Sequence, residues 1–311
     1  MIGPHGVLEA HWLLLAALAF DLAFGEVPTR LHPVAWIGTL IAKAVKPLPR
    51  EGVRALFVGA VLALGIPSAL AIGTYGILDV AGRLPWLATL LELWLLTSSF
   101  SVRMLGREAL RIGELLERGD VSGARARLSH LCSRDAGELT PSEIAGAAAE
   151  SVAENTSDSY VAPLLWFCLL GVPGAVLFKV VNTMDAMIGY RGEFERLGKA
   201  AARLDDALCW IPARLTALIF LATGAAAGGS PRRGLGVLAR DRRLTSSPNA
   251  GYPMAAFAGM FDVRLVKSGE YELGRDGRDP GPETVYASTR VLNLAAAAVT
   301  AMVIVLLGWI R

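Results

Sequence analysis

The chain has 311 residues, 53% of them hydrophobic and only 19% charged, with a mean hydropathy of +0.46. A soluble domain carries about a quarter charged residues, so this composition excludes a wholly water-facing surface and points to membrane integration. The formal net charge of +2 gives no basic surface for nucleic acid, and the scattered Cys132, Cys168 and Cys209 argue against a disulfide framework or a zinc site.

A helical bilayer span takes about 20 mostly apolar residues. Val7–Phe24 is apolar apart from Glu9, His11 and Asp21, and no Lys or Arg precedes it, so it reads as a retained membrane helix rather than a cleaved signal peptide. Ala55–Leu78 is uncharged and long enough to cross. Leu84–Phe100 is shorter and carries Glu92 in its middle. Arg103–Arg118 has the mixed charge of an amphipathic surface helix, and a second such helix opens at Thr140-Pro141-Ser142-Glu143, a capping-box pattern with proline at the first helical position. Tyr160–Phe178 is uncharged but interrupted by Pro163, Gly171, Pro173 and Gly174. Leu215–Gly229 is uncharged but short, and Val291–Ile310 is a second full-length uncharged segment.

Basic residues follow the first, third and fifth segments, while Arg83 alone lies between the second and third, which sets the long loops in the cytoplasm and the N-terminus outside. The stretch Lys179–Arg214 breaks this alternation, being basic where an outward loop is expected. Its two flanking segments therefore read as re-entrant or as buried against protein, which irregular backbone at that depth requires. The expected fold is all-α: a polytopic membrane protein with about 4–6 transmembrane or re-entrant helices and amphipathic cytoplasmic helices. It reads as a single integral-membrane domain over 1–311, with a soluble helical insertion near 101–159 and a polar loop near 229–290.

Three polar groups lie against these apolar segments. Glu150, Glu154 and Asp158, spaced i, i+4 and i+8, put three carboxylates on one helical face beside Asn155, and no Lys or Arg from Ala136 to Asp158 balances them. Unpaired carboxylates at a bilayer edge are costly unless they hold a cation or find a partner, and oxygen ligands of this kind suit Mg²⁺ with phosphate completing its shell. Lys179, Asn182 and Asp185, then Tyr190 and Arg191, form the second group, and Asp205-Asp206 before Arg214 the third. His32 sits where the first helix leaves the membrane, and Ser247-Pro248-Asn249 reads as a turn. Gly192…Gly198-Lys199-Ala200 lacks the spacing and the Ser or Thr of a phosphate loop, and Gly234-Leu235-Gly236 follows no strand.

Taken together, these residues resemble one family. Glu150-Ser151-Val152-Ala153-Glu154-Asn155-Thr156-Ser157-Asp158 with Val161-Ala162-Pro163, the run Lys179-Val180-Val181-Asn182-Thr183-Met184-Asp185 through Gly189-Tyr190-Arg191, Ala202-Arg203-Leu204-Asp205-Asp206, Ile211-Pro212-Ala213-Arg214 and Ser247-Pro248-Asn249-Ala250-Gly251 are similar, in order, to the motifs of CobD/CbiB proteins. Asp21…Gly25…Pro28…His32-Pro33 fits as well.

The resemblance implies adenosylcobinamide-phosphate synthase activity in cobalamin biosynthesis. In that reaction ATP drives amide formation between adenosylcobyric acid and (R)-1-amino-2-propanol O-phosphate or the free amino alcohol. It also implies Mg²⁺ on some of Glu150, Glu154, Asp158 and Asp185, with ATP as co-substrate. Glu150, Glu154, Asp158, Asn182, Asp185 and His32 would be catalytic, His32 as the base that deprotonates the ammonium. Asn155, Lys179, Tyr190, Arg191, Asp205, Asp206, Arg214, Ser247 and Asn249 would bind substrates, the arginines gripping phosphate oxygens. The expected setting is the inner (plasma) membrane with a cytoplasmic active site, beside other membrane enzymes of late cobalamin synthesis. A transporter and a Mg²⁺-dependent prenyl or phospho-alcohol transferase are the alternatives: the first shares broken, charge-bearing segments, and Asn182-x-x-Asp185 is a fragment of the second's acidic motif.

Overall fold

The computed structural model describes residues 8–132, 134–190 and 192–309. Its helices are α1 (Ala10–Phe24), α2 (Pro33–Val45), α3 (Gly52–Ala81), α4 (Pro85–Thr97), α5 (Arg103–Glu117), α6 (Val121–Leu128), α7 (Pro141–Thr156), α8 (Ala162–Ile188), α9 (Lys199–Leu208), α10 (Trp210–Gly224), α11 (Pro231–Asp241), α12 (Gly251–Phe261) and α13 (Pro282–Trp309). A short antiparallel hairpin, β1 (Leu265–Lys267) and β2 (Tyr271–Leu273), pairs Leu265 with Leu273.

Among the described residues, three helical runs are long and apolar enough to cross a membrane: Gly52–Ala81, Pro141–Ile188 and Pro282–Trp309. The pair α9 and α10, bent by 45°, makes a fourth if it is one broken span, and α1, α2 and α4 are shorter apolar helices. This is the polytopic all-α membrane protein expected. Phe57, Val61, Leu64, Ile72 and Ile77 project from α3 into solvent-accessible space, an apolar surface that lipid, not water, would cover.

Boundaries differ from the sequence reading in instructive ways. The interrupted segment at 160–178 is helical as far as Ile188, so Lys179, Asn182 and Asp185 stand on a helix rather than in a loop. Its break falls at Gly171, where φ is 68° and ψ −160°, angles that glycine adopts freely. Pro173 follows at the start of the next helical stretch, where its missing N–H costs nothing. The region 229–290, expected as a polar loop, contains α11, α12, the hairpin and the first turns of α13. Val7 and Ile310, which bounded two of the expected spans, lie outside the described residues.

The chain divides into two compact units, each assembled from separate stretches. One comprises Met1–Ser101, Ala162–Cys209 and Met302–Arg311. In it α3 packs on α8 and α9, α2 on α8, and α1 on α4. Gly59 lets the α3 backbone lie directly on the Leu197 carbonyl, where any Cβ would collide.

The other unit comprises Val102–Val161 and Trp210–Ala301. Its centre is α12, buried from Pro253 through Phe261 and in contact with α7, α10 and α11. A helix apolar on all sides belongs inside, and here it forms one core with Phe220, Val263, Leu265, Leu273 and Val291. The Gly234 that superficially suggested a nucleotide loop serves packing: a Cβ there would meet Met260 and Leu221.

Because Leu197 presents backbone to Gly59, the neighbour cannot yield. Gly59→Ala should lower stability by about 1–3 kcal/mol. Gly65→Ala on the same helix, with nothing within 4 Å of the added methyl, should be neutral or gain up to about 1 kcal/mol of helix propensity. Thermal unfolding in detergent would compare the two.

Candidate active-site groups

In the first unit, α8 presents Lys179, Asn182 and Asp185 on its last turns, and α9 carries Asp205 and Asp206. The Asn182 side-chain amide donates to Asp205 Oδ1 at 3.3 Å, and the Cys209 thiol donates to Asp205 Oδ2 at 3.7 Å. Asp205 is buried and serves as an anchor between the two helices, whereas Asp185 and Asp206 are half-buried. The carboxylates of Asp185, Asp205 and Asp206 are near enough to repel one another. Asp185 lies across Gly189, where a Cβ would strike its carboxylate, so the glycine of this motif makes room for the acid.

His32 belongs to the same unit. It caps α2, its Nδ1 accepting from the Val34 N–H at 3.2 Å. Two indoles fix the turn before it: Trp94 Nε1 donates to the Leu31 carbonyl at 3.1 Å and Trp36 Nε1 to the Arg30 carbonyl at 3.1 Å. Burial lowers the His32 pKa from its ordinary 6.5; Glu26 opposes that shift and Lys179 adds to it. The neutral ring therefore carries its proton on Nε2 and offers a hydrogen-bond donor. The role of base expected for it conflicts with this arrangement, because the basic nitrogen is occupied by the helix cap. Tyr190 is exposed, and Arg191 lies outside the described residues.

In the second unit, Glu150 and Glu154 stand one turn apart on α7, but Asp158 lies in a π-turn, Ser157–Val161. Pro163 explains the widening. It has no N–H to return to the Ser159 carbonyl four residues back, and its ring would clash there. The third carboxylate thus leaves the regular α-helical face that the i, i+4, i+8 spacing implied.

Glu150 is buried and paired. Arg134 Nη2 donates to Glu150 Oε2 at 2.6 Å, while Oε1 is buried without a hydrogen bond. The compensating charge was missed in the sequence because it stands just outside the helix, 16 positions from its partner, with nothing local to signal it. A carboxylate held this way is tied to the loop preceding α7, which weakens its expected role as a metal ligand. Asn155 is also used locally, its amide donating to the Ser151 carbonyl at 2.9 Å and its oxygen accepting from the Ser159 hydroxyl at 3.3 Å. Glu154 is half-buried.

Arg214, on the first turn of α10, donates to Asn249 Oδ1 at 3.0 Å, joining two motifs that are 35 positions apart. Ser247 Oγ accepts from the Asn249 and Ala250 N–H groups at 3.2 and 3.4 Å and so shapes the entry to α12. Among the described residues, no group of three or more His, Cys, Asp or Glu side chains converges as a metal would require.

The family model described as CobD/Cbib protein matches residues 14–307. The chain belongs to the CobD/CbiB family of cobalamin-biosynthesis proteins. It is 40% identical over 290 residues to the cobalamin biosynthesis protein CobD of Dehalococcoides mccartyi, covering 93% of this chain and 94% of that one. It is 39% identical to the CobD of Mycobacterium tuberculosis, covering 94% and 95%, and 34% identical to that of Klebsiella pneumoniae, covering 94% and 96%. No solved structure matches.

Two outcomes follow from these contacts. Arg134→Ala would leave Glu150 buried and unpaired, and should cost about 3–5 kcal/mol; replacing both residues with apolar ones should recover much of that loss in detergent melts. For His32, the lowered pKa means its contribution to stability is complete above pH 6.5 and is lost as pH falls toward the lowered value. His32→Asn, which caps without titrating, should remove that acid-side slope.

Proposed function

We propose that this chain is a membrane-bound ligase that uses ATP to join adenosylcobyric acid to (R)-1-amino-2-propanol O-phosphate, or to the free amino alcohol, giving adenosylcobinamide phosphate or adenosylcobinamide. Family membership across nearly the whole chain carries the reading, with the acidic and amide-bearing motifs intact on α7, α8 and α9.

A carboxylate is a poor acyl donor. Transfer of the γ-phosphoryl group of ATP to a corrinoid carboxylate oxygen releases ADP and forms an acyl phosphate. The amine attacks the carbonyl carbon, the C–O bond to phosphate breaks, and inorganic phosphate leaves. Each unit offers a cation for phosphate oxygens, Lys179 in the first and Arg214 in the second, and positive charge there stabilises the transfer electrostatically. His32 contributes its Nε2–H as a donor. The proton lost by the ammonium passes to a half-buried carboxylate such as Glu154 or Asp185.

With Glu150 engaged by Arg134, a preformed cage of protein ligands does not suit Mg²⁺ here. The ion commonly takes one or two carboxylates with phosphate oxygens completing its shell, and Glu154 and Asp158 or Asp185 and Asp206 have that chemistry. When bound it would neutralise phosphate charge. The distribution of basic loops supports a reaction on the cytoplasmic side of the plasma membrane, from which intermediates would pass to other membrane enzymes of late cobalamin synthesis.

Purified protein in detergent, supplied with adenosylcobyric acid, aminopropanol phosphate and Mg·ATP, should yield a corrinoid heavier by the amide-linked amino alcohol, dependent on ATP. Glu154→Gln and Asp185→Asn should each lower kcat by about 10²-fold or more while leaving the protein folded. Absence of product from folded wild-type protein, with the free amino alcohol also tried, would overturn the assignment.

A further inference from the structure

Arg214 is held more closely than a residue that only fills space. Its guanidinium carbon lies 4.1 Å from the centre of the Trp210 ring and 4.1 Å from that of Tyr252. One nitrogen, Nη1, is fully used, donating to the Trp210 carbonyl at 2.7 Å and to Asn249 Oδ1 at 3.0 Å. Asn249 is buried and its backbone is set by the Ser247 turn, so this acceptor is fixed.

Among the described residues nothing takes Nε or Nη2, and no carboxylate comes within 4.0 Å of Arg214. Four other arginines of the same unit are neutralised, Arg134 by Glu150, Arg127 by Glu108, Arg240 by Asp241 and Arg264 by Asp279, while Arg125 and Arg242 spend their donors on backbone carbonyls. Among the described residues, Arg214 alone combines two stacked rings with an edge that meets neither a carboxylate nor a carbonyl. Two aromatic faces hold a guanidinium by attraction to its charge without consuming its donors. The remaining Nε/Nη2 edge is the planar pair of donors that matches two oxygens of a phosphate.

We propose that Trp210, Tyr252 and Asn249 are positioning residues that aim the Nε/Nη2 edge of Arg214 at a phosphate group of a substrate. This rests on the ligase reading for the identity of that substrate: the phosphate of the amino alcohol ester or a phosphate of ATP. Tyr252 and Trp210 act through Arg214 and make no chemical step of their own.

The full-length protein in detergent would be treated with phenylglyoxal, which modifies accessible arginines, and labelling at Arg214 read by peptide mass spectrometry. Arg214 should be labelled in the bare protein and protected by aminopropanol phosphate or by ATP. Protection by the ester alone assigns the edge to the amino alcohol, and protection by ATP alone assigns it to the nucleotide. An unlabelled Arg214, or one labelled equally with every phosphate compound, overturns the proposal.

Kinetics supply a second test. Trp210→Leu and Tyr252→Leu should raise KM for the protecting substrate about tenfold, equivalent to ~1.4 kcal/mol, with kcat within about twofold. Trp210→Phe and Tyr252→Phe, which keep a ring, should stay near wild type. Unchanged KM in the leucine variants removes the positioning role while leaving the ligase intact. Protection of Arg214 by phosphate in a protein that makes no amide leaves the positioning role and removes the ligase.

Discussion

At 2.6 Å, the contact between Arg134 and Glu150 is the one on which the acidic face of α7 depends. A carboxylate buried beside a bilayer is tolerated when a cation meets it, and the loop before α7 provides that cation from the same unit. The ion pair also joins two levels of structure. Arg134 reaches the Val266 carbonyl in β1, and the Ser151 hydroxyl one residue beyond Glu150 donates to the Leu131 carbonyl at 2.7 Å. The loop, the hairpin and the helix are thereby held as one piece.

Helix breaks in this chain are set by residues that cannot follow the regular ladder. Pro163 turns the end of the acidic helix into a π-turn, and the Gly171–Pro173 pair interrupts α8. The π-turn runs through Ser157-Asp158-Ser159, whereas the Gly171 break lies in apolar sequence, where an unpaired carbonyl is expensive. In the π-turn the surroundings are polar on one side: the Tyr160 hydroxyl and Thr300 Oγ1 are 2.6 Å apart in the interior of the same unit. The break at Gly171 relies on a glycine conformation that other residues rarely adopt. Below it α8 resumes and carries Lys179, Asn182 and Asp185 at helical spacing, so that Asn182 meets Asp205 on the neighbouring helix.

Much of this was legible in the residues themselves. Uncharged stretches revealed α3 and α13, the Thr140–Glu143 capping box placed the start of α7, and Pro163 and Gly171 announced the irregularities of the fourth apolar run. The motif order identified the family before any geometry. What remained hidden was the pairing of groups distant in sequence. Arg134 with Glu150, Trp94 with the Leu31 carbonyl, and Arg214 with Asn249 and Tyr252 each require knowing which helices are neighbours. His32 shows a different limit: its residue type suited a base, whereas its position at the start of α2 uses the basic nitrogen as a cap. The apparently polar 229–290 region concealed α12 because its short apolar run, rich in Gly and Ala, gives no periodic signal when every face is buried.

The central claim is that the corrinoid carboxylate is activated by phosphoryl transfer before the amine attacks. Adenosylcobyric acid labelled with ¹⁸O in its reacting carboxylate, turned over with Mg·ATP and aminopropanol phosphate, tests this directly by mass spectrometry of the products. An acyl phosphate route sends one labelled oxygen into the released inorganic phosphate, with ADP as the nucleotide product. Label found in AMP, or retained wholly in the corrinoid during ATP-independent turnover, would contradict it.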